Sequence, residues 1–247
     1  MGEAVTLQMI IIEFIGLPGS GKTTLSKALS TALRAQGHVV VERHDALADD
    51  AGMFVRHPIR ARFVLEGFIL QPAHMLRAAR QIRQDGQPSL YSYAKATWSF
   101  WAIIGWYAAL QRKSQRQIVI VDQGLLQALW SVRLKSLRNR SDWLGFLQDL
   151  RTITGLVLVN SSVDVASERL AQREIGISRL SHASPEDPLW QQGVAALGAI
   201  CKDAPQLAPV TSVENDHFDK IVPTADRLQD WVRSLSNEPL ANIKPRN

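Results

Sequence analysis

Gly16-Leu17-Pro18-Gly19-Ser20-Gly21-Lys22-Thr23 is the stretch that decides the fold. It fits the pattern G-x-x-x-x-G-K-[ST]: glycines let consecutive backbone N–H groups turn toward a phosphate, the lysine reaches the outer phosphates, and the hydroxyl ligates a divalent cation. Its flanks meet the same requirement. Residues 9–15 form an apolar run of strand length that breaks at Gly16. Beyond the loop, Leu25, Ala28, Leu29, Ala32 and Leu33 recur at helical spacing, and Gly37 stops the helix. A strand, a glycine turn and a helix N-terminus together place the helix's positive end on the phosphate. Gly16, Gly19, Ser20, Gly21, Lys22, Thr23 and Thr24 are therefore the expected nucleotide contacts.

Further along the chain, 38–41 reads as a second strand ending in Glu42, Arg43, His44 and Asp45. Residues 58–113 are mostly helical, with a break at 85–88 and early arginines at 56, 60, 62, 77, 80 and 83. Branched apolar residues at 118–121 predict a third strand that ends on Asp122, and 155–159 a fourth. Ser161 with Asp164 resembles a capped helix start. A fifth strand is expected at 209–213 and a last helix at 223–235. This alternation predicts a three-layer α/β/α domain over 1–236 with a five-stranded, mostly parallel sheet, and a polar tail over 237–247. Ligands should sit at the carboxyl ends of its strands.

Three groups are candidates for chemistry there. Asp122, at the end of its strand, is the expected magnesium carboxylate beside Thr23. Asp45 ends the second strand, expected to flank the loop's own strand, and is the candidate base for an acceptor hydroxyl. Arg169 and Arg173 share one helical face, with Arg179 beyond Gly176, and suit the charge that develops on a moving phosphoryl group. They predict an arginine-bearing lid over roughly 171–188.

Composition narrows the class. Twenty-eight basic against 23 acidic residues give a net charge of +5, which suits anionic ligands of any kind. Cys201 is the only cysteine, so neither an intrachain disulfide nor a cysteine metal cage can form, and a reducing cytoplasmic setting is expected. The uncharged stretch 96–111, rich in aromatics, is shorter than the roughly 20 residues of a membrane-crossing helix and reads as a buried or dimer-forming one. Its aromatics lie among apolar residues, so nucleic-acid binding is not expected.

The loop 16–23, the strand-end Asp122 and the segment 163–173 resemble the thymidylate kinase-like branch of the P-loop nucleoside and nucleotide kinases. That resemblance implies a kinase fold, ATP as donor, Mg2+, an acceptor held between the strand ends and the helices near 50–110, and often a homodimer. Gln123 follows Asp122 where that family usually has arginine. Two activities fit the residues: transfer of the γ-phosphate of ATP to a small acceptor such as a nucleoside, nucleotide or related metabolite, or nucleotide hydrolysis in a regulatory switch. No Asn-Lys-x-Asp guanine-reading segment supports the switch.

Overall fold

The computed structural model describes residues 9–47, 53–112, 117–138, 140–172, 180, 183–217 and 221–237. In chain order the elements are β1 (Ile10–Ile15), α1 (Lys22–Ala35), β2 (Val40–Glu42), α2 (Arg43–Ala46), α3 (Met53–Leu70), α4 (Pro72–Asp85) and α5 (Leu90–Gln111). There follow β3 (Ile118–Val121), α6 (Leu125–Arg133), α7 (Trp143–Leu150), β4 (Gly155–Asn160), α8 (Val163–Ala171), α9 (Pro188–Asp203), β5 (Val210–Glu214) and α10 (Ile221–Asn237). The sheet has five strands in the order β2-β3-β1-β4-β5, and every pairing is parallel.

Side chains alternate across β1, and each set meets its own core. Ile10, Ile12 and Phe14 pack with Leu25, Leu29 and Leu33 of α1 and with Leu228 and Val232 of α10. Ile11 and Ile15 face the opposite layer, where α5 and α6 supply Phe100, Ile104, Tyr107, Leu126 and Leu129. The aromatic stretch of α5 is thus core, with Trp106 and Tyr107 fully buried. Ser89 caps α5, its Oγ accepting from Ser92 N at 3.1 Å. No helix among the described residues is long and apolar enough to cross a membrane.

The order of the strands corrects one expectation. β1 is flanked by β3 and β4, and β2 is an edge strand separated from β1 by β3. Asp45 does not end β2: that strand stops at Glu42, and the chain turns at once into the short α2, which carries an exposed Asp45. The cap of α8 also falls one residue later than expected, on Ser162, whose Oγ accepts from Val165 N at 3.4 Å.

Candidate active site

All five strands point their carboxyl ends at one edge, and the segment after β1 is the glycine loop. Gly19 and Gly21 both hold φ at +87°, in the left-handed region that an L side chain rarely enters. A Cβ on Gly19 would strike the Ala166 carbonyl of α8, and one on Gly21 the side-chain amide of Asn215. The loop is therefore clamped between α8 and the end of β5. Asn215, buried, donates from Nδ2 to Ser20 O at 2.7 Å. Arg169 reaches across from α8 to the same segment, donating to Asn215 O at 2.7 Å and Asp216 O at 3.1 Å.

Lys22 opens α1, and its ammonium lies inside the curl of the loop, donating to Gly16 O and Leu17 O, both at 2.8 Å. Thr23, one residue on, donates from Oγ1 to Asp122 Oδ2 at 3.0 Å. Neighbouring strands bring the two together, because β1 and β3 pair in register from Ile10 and Ile118 onward. One carboxylate and one hydroxyl suit Mg2+, which takes hard oxygen ligands and is usually held by one or two carboxylates plus the phosphates of a substrate. No cluster of three or more metal-binding side chains occurs among the described residues, in keeping with such a sparse site.

Next to this pair opens a cavity of about 170 Å³. Arg43 of α2, Arg60 of α3, Ser99 of α5, Gln123 after β3, and Gln127 and Ser131 of α6 give it polar walls; Phe100 and Ile103 are among its apolar ones. Gln127 Oε1 is buried with no hydrogen-bond partner among the described residues. Asp45 does not line the cavity, although Arg43 and Leu47 on either side of it do.

Beneath the segment that carries Asp122 lies Glu13, fully buried. Its Oε1 accepts from Leu126 N at 2.6 Å and Gln127 N at 3.4 Å, and Tyr107 donates its hydroxyl to Oε2 at 3.4 Å. Burial raises its pKa to about 7; the N–H groups at the start of α6 and the charge of Arg43 pull in the opposite direction. Burial raises the Tyr107 phenol too, and the nearby Glu13 charge adds to the shift. Gly124 fits between Glu13 and the cavity because a Cβ there would meet the Glu13 carboxyl.

Most of the expected site residues thus converge: Gly16, Gly19, Ser20, Gly21, Lys22, Thr23 and Asp122 on one edge, with Thr24 exposed beside them on α1. Arg169 adjoins them, but its guanidinium ties down the segment after β5. Arg173, Arg179 and Gly176 lie outside the described residues, as does most of the expected lid. Glu13, Asn215 and the cavity residues Arg43, Arg60 and Gln127 are additions. Glu13 alone left a sequence signal, a charge within a strand that reads as apolar on both faces.

The strand order, the glycine loop and the Thr23–Asp122 pair define a P-loop protein of the nucleotide kinase-like fold. The chain belongs to the AAA domain family, which it matches over residues 11–183. Among solved structures it is similar to deoxyadenosine kinase from M. mycoides with bound dATP, at 12% identity and a TM-score of 0.50, over 90% of this chain and 100% of that one. It is also similar to shikimate kinase from Bacteroides thetaiotaomicron, at 17% identity and a TM-score of 0.47, over 91% and 98% of the two chains. At these identities the likeness is one of fold. No curated protein sequence matches.

Proposed function

We propose that this chain is an ATP-dependent phosphotransferase that moves the γ-phosphoryl group of ATP to a small acceptor held in the cavity beside Asp122. The observation that carries the reading is adjacency: Asp122 is bonded to Thr23 of the phosphate loop, and the next two residues, Gln123 and Gly124, line the cavity. A hydrolytic switch has no need of a walled acceptor pocket at that position. The volume, about 170 Å³, is below the roughly 300–1,000 Å³ of ordinary ligand pockets, which favours an acceptor of about one ring. Arg43, Arg60 and the unpartnered Gln127 Oε1 offer it polar contacts. Where thymidylate kinases carry arginine after the strand-end acid, Gln123 stands here, so acceptor recognition falls to Arg43 and Arg60 instead.

In this reading the phosphate loop and Lys22 hold the β- and γ-phosphates, and the ammonium swings from the loop carbonyls onto phosphate oxygens. Thr23 and Asp122 are the residues that would hold Mg2+, which when bound neutralises phosphate charge. Transfer then depends on alignment and fixed positive charge, with little covalent work for the protein. Arg173 is proposed to add charge from the lid. Asp45, exposed and outside the cavity lining, is left without a role as base.

An ADP-release screen of the purified protein against nucleosides, nucleotides, sugars and other hydroxy acids tests this, with Lys22→Ala as control. Acceptor-dependent ADP release that falls by at least about 100-fold in Lys22→Ala is expected, the scale of losing a key charge donor. ADP release indifferent to every acceptor would replace the kinase reading with the switch.

A further inference from the structure

α3 and α4 both lay their buried faces on α5, through Val64 and Gly67 from one and Met75, Ala78 and Ile82 from the other. Helical hydrogen bonding runs through their junction, from Gln71 N to Gly67 O and from Met75 N to Gln71 O. Their outer faces therefore form one continuous strip on the side away from α5. Along α3 that strip is apolar at helical spacing, with Phe54, Pro58, Ala61, Leu65 and Ile69 all exposed. Leu65 is 63% exposed, Ile69 68%, and Leu76 of α4 62%. Large apolar side chains left in water along a whole helix face are a sign of an interaction surface.

On α4 the strip changes character. Arg80 and Arg83 follow Leu76 at spacings of four and three, so they continue the same face. Arg138 and Arg140 join them in one open hollow, with Gln84 as its remaining lining residue. The second pair is fixed in place: Arg138 N donates to Asp85 O at 2.8 Å, and Arg140 N to Asp85 Oδ1 at 3.1 Å. Asp85 itself is buried, with its other oxygen taking the Trp143 indole N–H at 2.7 Å, so its charge is turned inward. Asp142 and Asp149, nearby, pair with Arg77. None of the four arginines is in an ion pair among the described residues, and no acid lines the hollow. Leu137, 70% exposed, stands at its rim.

From this juxtaposition we propose that the outer face of α3 and α4, with the loop 137–140, is a docking surface for an anionic lipid bilayer. Aliphatic side chains of the strip enter the boundary between headgroups and acyl chains, while the arginines meet lipid phosphates, which guanidinium groups bind in forked pairs. Neither half of the surface serves the other plausible occupants. A second copy would bring the same surplus of positive charge and no anion. A nucleic acid would match the arginines and leave the aliphatic strip in water, and the strip offers no row of aromatic platforms for bases.

The test is co-sedimentation of the full chain with vesicles of phosphatidylcholine alone or mixed with phosphatidylglycerol. Binding to the anionic vesicles only, weakening as salt rises, is expected. Arg80→Gln with Arg83→Gln should weaken it roughly 30-fold, two charges' worth at a membrane surface. Leu65→Ser with Ile69→Ser should weaken it as well, while both variants keep the wild-type circular dichroism. Absence of vesicle binding, or equal binding to neutral vesicles, overturns the proposal. So does heparin binding that matches vesicle binding and ignores the Leu65 and Ile69 changes, which assigns the surface to a soluble polyanion. A wild-type dimer that ignores vesicles and becomes monomeric in the Leu65 and Ile69 variant assigns it to a second copy.

Discussion

Asp122 and Glu13 are two buried carboxyls on adjacent strands with opposite surroundings, and each leads to a different experiment. Asp122 meets a hydroxyl at the mouth of the loop. Asp122→Asn keeps that contact but loses the charge, so the magnesium concentration needed for half-maximal ADP release should rise roughly 10–100-fold. Asp45→Asn, outside the cavity lining, should leave the magnesium titration unchanged. Glu13 is held by N–H groups but deprived of water, with a pKa near 7 against 4.5 for the free side chain. Between those values the folded protein retains a proton that the unfolded chain has lost. Stability therefore falls as pH rises through this window, and the advantage is gone once Glu13 ionises above about 7. Glu13→Gln keeps an acceptor for Leu126 N and carries no charge. Comparing pH 5 with pH 8 by urea denaturation, the variant should gain up to about 3 kcal/mol relative to wild type. A gap between the two proteins that does not change with pH would show that burial does not control this carboxyl. The phosphate loop and Asp122 were legible in the sequence because their chemistry is local: eight consecutive residues in one case, a strand end in the other. Asn215 was not, since its bond to Ser20 spans 195 residues of chain.

Among the elements, α3 and α5 have the closest crossing, at Gly105, where a Cβ would run into the backbone carbonyl of Phe63. No flexible side chain is there to give way. Gly105→Val should cost about 1–3 kcal/mol or more, read as a lower urea midpoint. Because α3 and α5 both line the cavity, the same change should raise the KM for the acceptor more than that for ATP. Sequence periodicity found β3 with its observed limits, 118–121, and the helical character of 58–113. It could not divide that region into α3, α4 and α5 beyond the break at 85–88, because Pro72 sits at the first position of α4, where proline suits a helix as readily as it ends one. The cavity was illegible for a related reason. Arg43, Arg60, Ser99 and Gln127 belong to four different helices, and only tertiary packing brings them to one wall.

At the scale of the whole molecule, one sheet joins two cores, and the phosphate loop is tied to both: α1 grows from it into one, and α8 and Glu13 stand on the other side. A ligand on the loop should stabilise the entire fold. MgATP at about 100 times its Kd adds roughly 2.7 kcal/mol, a rise in Tm of about 5–10 °C for a chain of this size. Lys22→Ala should lose most of that rise while keeping its own unliganded Tm. The strand order was only half legible, since alternation predicts a parallel sheet but not which strands are neighbours; β2 at the edge removed Asp45 from the place expected for it. β1 at the centre has a further consequence during synthesis. Its partners are β3 and β4, so Ile10–Ile15 leaves the ribosome more than 100 residues before the first of them, Ile118. At 5–20 residues per second that is a wait of roughly 5–20 s for an exposed strand of isoleucine and phenylalanine. Such a segment is prone to pair with other nascent chains, and a charge within it is the usual safeguard. Glu13 supplies one. In the unfolded chain it is ionised and repels like strands; in the folded core burial pushes it toward the neutral form, so the charge that protects the strand during synthesis is largely withdrawn once β3 and β4 have closed over it.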